Sequence, residues 1–388
     1  MRSRNRILLL GFLLTSVAVL PLMAAPPDHA NNRKTVTVMT RNVYLGADLT
    51  PAIAAIAGGD PFEILAAVSE VWGMVQFTDF PARAASLAKE IEKAQPDLIG
   101  LQEAEVWRSQ TPSDILEGNP APNAEHVEYD FVQLLLDALS AKGLHYAEVV
   151  RETGIDVEVP GFLSAADAEN FVVSDIRLTE HEVILARTDL KTSELKLSNP
   201  QTGHFANNVE FSVGDATLTV LRSWVSVDAK VRGKRFRFVS THLEADSTVI
   251  RNLQAMEVIT GPANTSLPVV LVADSNSNAN GDSESTLFDS AAYDLFIGHG
   301  FTDAWFEAHP GELVSTCCNA PDLTNAQFPL STDNEGRIDL VLFRGPHDFS
   351  TLGAELFGKS PSDRVSNGLA LIWPSDHAGV AVRLQIQN

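Results

Sequence analysis

Short apolar runs that end in polar clusters punctuate this chain, and most of them carry the β-branched enrichment of strands. Thr35 to Met39 is the first and ends at Thr40-Arg41-Asn42. Asp97 to Leu101 ends at Gln102-Glu103. From Tyr146 to Val239 the chain reads as mostly strand, with runs at Phe171–Val173, Glu182–Ala186, Leu218–Val227 and Arg235–Val239. The last of these leads into Ser240-Thr241-His242-Leu243-Glu244. Leu267 to Val272 is followed by Asp274-Ser275-Asn276, and Arg337-Ile338-Asp339 opens a run that continues to Phe343. Ser375-Asp376-His377 stands between the apolar run Leu369–Trp373 and a final strand, Gly379–Ile386.

Helical spacing appears between these runs. Asp60-Pro61-Phe62-Glu63 has a cap residue, proline at the first helical position and an acidic residue three beyond the cap. Ile64, Leu65, Val68, Val71, Trp72 and Val75 then share one face. Further helices are expected from about Pro81 to Ala94, through Phe131, Leu134, Leu135, Ala138 and Leu139, from Thr248 to Ile259 and from Ser285 to Phe296. Ser109–Asn123 and Ser315–Gly336 have no periodicity and read as loops. Ala52–Ala57 is an alanine-rich patch, and no internal repeat is visible.

The N-terminus differs from the rest. Arg2, Arg4 and Arg6 precede the apolar run Ile7–Leu20, then Pro21 and the small residues Ala24 and Ala25. This is the pattern of a secretory signal peptide over residues 1–25, with a retained membrane anchor as the alternative. No paired arginines mark a twin-arginine signal, and no cysteine near the cut marks a lipid anchor. Residues 26–34 form a polar linker, and 35–388 one domain with a helical insertion at 46–80. The mature chain is expected to be an exported, soluble monomer, periplasmic or extracellular.

Of the 388 residues, 45% are hydrophobic, enough for a sizeable core. The formal net charge of −22 repels polyanions and disfavours passive nucleic-acid binding, although a cation in a cleft would invert the field locally. The two cysteines, Cys317 and Cys318, are adjacent. They cannot staple distant segments, and no zinc-ligand spacing surrounds them, so they are read as structural: two thiols or a vicinal disulfide.

The polar residues at the run ends are Asn42, Glu103, His242, Asp274, Asn276, Asp339, Asp376 and His377. Ligands collect where strands end and loops converge. Asp339 begins its run, which in a mixed sheet still puts it on the same rim. Each residue taken alone is an ordinary turn, cap or solvated side chain. As a set, the carboxylate and amide oxygens of Asn42, Glu103, Asp274, Asn276 and Asp376 suit a hard cation such as Mg²⁺ or Mn²⁺. The two histidines supply proton transfer or donation to a phosphoryl oxygen, and Asp339 is placed to orient His377. This is the logic of a metal-assisted phosphoester hydrolase.

The order of these six motifs resembles that of the endonuclease/exonuclease/phosphatase superfamily, which takes in deoxyribonuclease I, apurinic endonucleases, inositol polyphosphate 5-phosphatases and bacterial sphingomyelinases. The resemblance spans Thr35 to Leu384 and departs from the family at Ala273, where glycine is usual, and in the helical insertion. It implies an α/β chain folded as a four-layer α/β/β/α sandwich of two mixed β-sheets. It implies Glu103 as principal metal ligand with Asn42 and Asp376 near it, and His242 as a phosphate contact. Asp274 and Asn276 would position water and phosphate, and His377 backed by Asp339 would be the acid/base. The expected partner is a phosphoester, of a phospholipid or small molecule, with transient membrane contact. A secreted nuclease on DNA or RNA and a non-catalytic binding module are the alternatives.

Overall fold

The computed structural model describes residues 35–213, 216–281, 288–331, 336–345 and 348–387. The signal peptide and linker expected over residues 1–34 lie outside them, as do residues 285–287 of the helix expected from Ser285.

In chain order the strands are β1 (Thr35–Asn42), β2 (Leu98–Gln102), β3 (Val106–Gln110), β4 (His126–Asp130), β5 (Tyr146–Gly161), β6 (Ser174–Arg187), β7 (Leu195–His204), β8 (Val209–Val213) and β9 (Ala216–Val220). They continue with β10 (Ser223–Val231), β11 (Lys234–His242), β12 (Val269–Asp274), β13 (Phe301–Asp303), β14 (Asp339–Arg344), β15 (Phe349–Phe357), β16 (Val365–Ser366), β17 (Leu371–Ile372) and β18 (Gly379–Ile386). The helices are α1 (Thr50–Gly58), α2 (Pro61–Phe77), α3 (Phe80–Ala94), α4 (Phe131–Ala141), α5 (Ala165–Asn170), α6 (Thr248–Thr260), α7 (Ala291–Gly298) and α8 (Ala304–Ala308).

Two mixed sheets result. One runs β15-β18-β1-β2-β6-β3-β4, with β5 also paired to β6; the other runs β13-β14-β12-β11-β10-β7. Only β1/β2 and β11/β12 are parallel within them. Side-chain alternation sorts the residues of each strand between two faces. Val36 and Val38 of β1, Val270 and Val272 of β12 and Phe236 and Phe238 of β11 meet between the sheets. Met39, Ile99 and Leu101 point outward against α2, α3 and α4, whereas Val239, Leu271 and Leu340 point outward against α6 and α7. The layers are therefore α/β/β/α. Gly100 marks a close approach of the sheets, because a Cβ there would lie 2.5 Å from the side chains of Ser240 and Val272.

Local signals explain most boundaries. The Asp60 side chain caps α2 by accepting from Phe62 and Glu63, and Asp79 starts α3 by accepting from Ala82, one residue earlier than the periodicity suggests. The alanine-rich patch is a helix, α1. Phe171–Val173 is not a strand. Ser164 caps α5 there, which ends at Phe171 in the left-handed conformation, and β6 begins only at Ser174. The run Leu218–Val227 is broken at Leu221-Arg222, where the arginine turns to the rim. The insertion is closed at its base by Thr78 Oγ1, which donates to Gly46 O at 2.8 Å.

Candidate active site

The alternation that fills the core with Val36, Val38, Val270 and Val272 changes character toward one end of the sandwich. Thr40 and Gln102 hydrogen-bond at 3.1 Å, and Gln102 crosses to the opposite sheet by donating to Ser240 at 3.0 Å. One step further along the same inward face stand Asn42, His242 and Asp274. His242 is the register partner of Asp274 on parallel β11/β12, and Asp274 is that of Asp339 on antiparallel β12/β14. Three functional side chains thus lie in one row across three strands.

Asn42 Nδ2 bridges two carboxylates, donating to Glu103 Oε1 at 2.8 Å and Asp274 Oδ2 at 2.9 Å. Its Oδ1 accepts from Tyr44 N, and the other Glu103 oxygen accepts from Leu45 N at 2.8 Å. Glu103, Tyr44 and Asn276 all adopt positive φ (53°, 62° and 47°), a region that side chains with a Cβ seldom occupy outside over-determined sites. Asn276 N donates to Asp274 Oδ1 at 3.1 Å, and its amide lies 3.1 Å from His242 Nε2. Arg222 Nη1 donates to His242 Nδ1 at 2.9 Å, and the other ring nitrogen, Nε2, lies 3.4 Å from Asp274 Oδ2.

His377 Nδ1 donates to Asp339 Oδ2 at 2.8 Å, and its Nε2 faces Asp274 Oδ2 at 3.7 Å and Asp376 Oδ1 at 3.9 Å. Asp339 is held from behind by Thr316, whose hydroxyl accepts from the backbone N–H groups of Ile338 and Asp339. The structure thus gathers Asn42, Glu103, His242, Asp274, Asn276, Asp339, Asp376 and His377 at one rim.

Charge at the rim is lopsided. Burial raises Asp376 to about 7, with Glu103 and Asp274 adding to that and His377 opposing it. Burial would also raise Asp274, but His242, His377 and hydrogen bonds from Asn42 and Asn276 outweigh it and hold it below its usual value. Burial depresses His377, yet Asp339, Asp376 and Asp274 together lift it well above an ordinary histidine. Behind His242 lie Glu180 and Glu182, on the inward face of β6. Both oxygens of buried Glu182 lack a hydrogen-bond partner, and burial plus Glu180 push its carboxyl well up. A surplus of carboxylate oxygens at one rim is a donor set that fits a hard cation, and the Asn42 amide nitrogen stands between two of them. Glu103, His242 and Asp274 each offer an atom within 4.8 Å of the others.

Several residues here carry no local sequence signature. Arg222 reaches Glu180 at 3.4 Å and Glu244 at 3.8 Å besides His242; its trace in the sequence is that it is the one charge in Leu218–Val227. Arg41 pairs with Glu90 of α3 at 3.0 Å and donates to the carbonyls of Asn42 and His377. Arg83, fully buried, donates to the carbonyls of Val43, Tyr44, Thr78 and Pro374 beneath the rings of Tyr44, Phe80 and Phe131. Cys317 and Cys318 are bonded to each other, and Cys317 Sγ lies 3.8 Å from His377 Nε2. Folding also brings His377 beside Cys317 from 60 residues away, a proximity that no ligand spacing in the sequence shows.

No protein-family model and no curated protein sequence matches the chain. Solved structures do match. An endonuclease/exonuclease/phosphatase from Bacteroides vulgatus superposes with a TM-score of 0.52 at 17% identity, over 91% of this chain and 99% of that one. A protein of the same description from Beutenbergia cavernae DSM 12333 gives 0.53 at 19%, over 92% and 72%. One from Bacteroides thetaiotaomicron gives 0.50 at 18%, over 91% and 98%. The chain has the fold of the endonuclease/exonuclease/phosphatase proteins.

Proposed function

We propose that this chain is an exported, divalent-metal-dependent phosphoester hydrolase of the endonuclease/exonuclease/phosphatase superfamily, acting as a monomer on a phospholipid or a small phosphorylated molecule. The observation that carries the reading is the row His242–Asp274–Asp339, which faces Asn42 and Glu103 across the sandwich with His377 hydrogen-bonded to its end. The N-terminal arginines, apolar run and alanines support export.

Glu103, Asn42 and Asp376 would hold Mg²⁺ or Mn²⁺, with Asp274 in reach. The bound cation supplies neutralisation of charge on the phosphate and the leaving oxygen. The chain's own residues divide the proton work by their environments. Asp274, held below its usual value, accepts the proton of the attacking water, and Asn276 orients that water. His377, kept protonated by the carboxylates around it, gives the proton of Nε2 to the leaving oxygen as the phosphorus–oxygen bond breaks. Asp339 fixes the ring through Nδ1. His242, with Arg222 on its other nitrogen, points an N–H at a phosphoryl oxygen.

The test is a hydrolysis screen over sphingomyelin, glycerophospholipids, inositol phosphates, DNA and RNA, with chelator and with added Mg²⁺ or Mn²⁺. Metal-restored turnover of a lipid or small phosphoester is expected. Preference for DNA or RNA would establish the nuclease alternative. Full activity in a verified metal-free preparation would overturn the metal requirement.

A further inference from the structure

An open cavity of about 90 Å³ lies on the helix-covered face of the first sheet, against α1 and α2, and every residue lining it is apolar. Its walls include Ile53 and Ile56 of α1, Val71 of α2, Ile155 of β5, and Phe211 and Val220 of the β8–β9 hairpin. The hairpin pairs with neither main sheet. A two-stranded ribbon is marginal alone, so it depends on this apolar packing. Ile53, Ile56, Phe211 and Val220 stay half-buried, so these aliphatic and aromatic faces are presented to the cavity and are not closed into the core.

Three covalent or hydrogen-bonded links fix the cavity against the catalytic residues. Trp107, in its wall, donates from Nε1 to Leu45 O at 3.0 Å, and Leu45 N donates to Glu103 at 2.8 Å. Val220 is two residues before Arg222, roughly 7 Å along an extended chain, and Arg222 holds His242. Ile155 donates its backbone N–H to Glu180, which pairs with the same arginine. The walls of the cavity are thus tied to the groups that touch Glu103 and His242.

We infer that the cavity receives the first carbons of an aliphatic tail on the substrate, so that the phosphoester cleaved is that of a phospholipid and not of a free sugar or inositol phosphate. This rests on the phosphoesterase reading above. The apolar walls offer a phosphorylated polyol nothing to hydrogen-bond, whereas each methylene they bury is favourable. The volume is below the ~150 Å³ of an apolar cavity that takes up benzene, which sets the capacity at about three or four carbons, the rest of the chain leaving by the open side.

The experiment is a series of 4-nitrophenyl alkyl phosphodiesters, from methyl to octyl, hydrolysed with Mg²⁺ below their aggregation thresholds. kcat/KM should rise about fourfold per carbon, from ~0.8 kcal/mol per buried methylene, and level off at about four carbons beyond the first. In Ile53→Gln and in Phe211→Ser the octyl-to-methyl ratio should collapse toward one. Hydrolysis with a flat series in the wild-type protein, or an unchanged ratio in both variants, overturns the cavity assignment while leaving the phosphoesterase reading intact. A second readout does not need turnover. An ω-bromoalkyl phosphate should quench tryptophan fluorescence, and Trp107→Phe should remove that quenching. Quenching that is absent, or that persists in Trp107→Phe, overturns the assignment even if no ester is hydrolysed.

Discussion

Replacing Asp339 by Asn tests whether His377 and Asp339 act as one unit. The hydrogen bond between them is 2.8 Å long, and both side chains are shut away from water, Asp339 completely. Asn is nearly isosteric and its carbonyl oxygen can still accept from Nδ1, so the variant removes the charge and keeps the shape. A charge-assisted hydrogen bond contributes roughly 1.5–3 kcal/mol, and spending it on the protonated ring translates to about 10- to 150-fold in turnover. His377→Ala removes the proton donor itself, which should cost about 10²- to 10⁴-fold. Without the imidazole, Asp339 has nothing to orient. The double variant should then be no slower than His377→Ala, and the coupling should equal the whole effect of Asp339→Asn. Single- and double-variant kcat on one chromogenic phosphodiester, with saturating metal, is the assay. Losses that multiply in the double variant would refute the unit, even with both residues individually important.

Further expectations follow from neighbouring features. Glu103→Gln should weaken activation by Mg²⁺ several-fold or more in a metal titration while the thermal midpoint of the metal-free protein stays near that of wild type. Glu90→Ala strands buried Arg41 and should destabilise the protein by about 3–5 kcal/mol in denaturant unfolding, with Arg41→Met/Glu90→Leu recovering most of the loss. The double change Cys317→Ser with Cys318→Ser should alter stability modestly, since a ring between neighbours closes almost no chain; failure to fold would contradict this. Asp156 is raised by burial, but the stronger pull of Arg177 and Thr179 holds it below its usual value. The stability it contributes is therefore full above an ordinary aspartate value of about 4 and is lost as pH falls through the lower folded value. Asp156→Asn should flatten the melting-temperature decline in that acidic window.

The rim residues were legible because each stands at an end of an apolar run, and a strand's alternation carries the face of its core residues to the polar one at that end. Asn42 follows Val36 and Val38 on the inward face, and Asp274 follows Val270 and Val272. The helical insertion was legible through Asp60-Pro61 and the spacing from Ile64 to Val75. What stayed hidden was chosen by sheet order and by loop crossings, which leave no local pattern. Arg222 and Glu180 meet His242 only because β10, β11 and β6 are stacked as they are. Cys317 meets His377 only because an irregular loop bridges to the turn before β18. Phe171–Val173 misled because three apolar residues in a row are compatible with a helix end as well as with a strand.

The alignment of His242, Asp274 and Asp339 across three strands also makes the site a witness to its own assembly. Slipping β12 by one residue would turn Asp274 away from His242 and Asp339 and send its carboxylate into the outer layer among Ala255, Val258 and Phe296. The same slip would drive Val270 and Val272 out of the centre, so the error would be punished twice, in packing and in chemistry. No partly correct pairing of these strands keeps a working row of polar groups. A refolding chain assayed for phosphoester hydrolysis would show its first turnover only when β11, β12 and β14 had found their final partners. Recovery of activity during refolding would thereby date the locking of the second sheet.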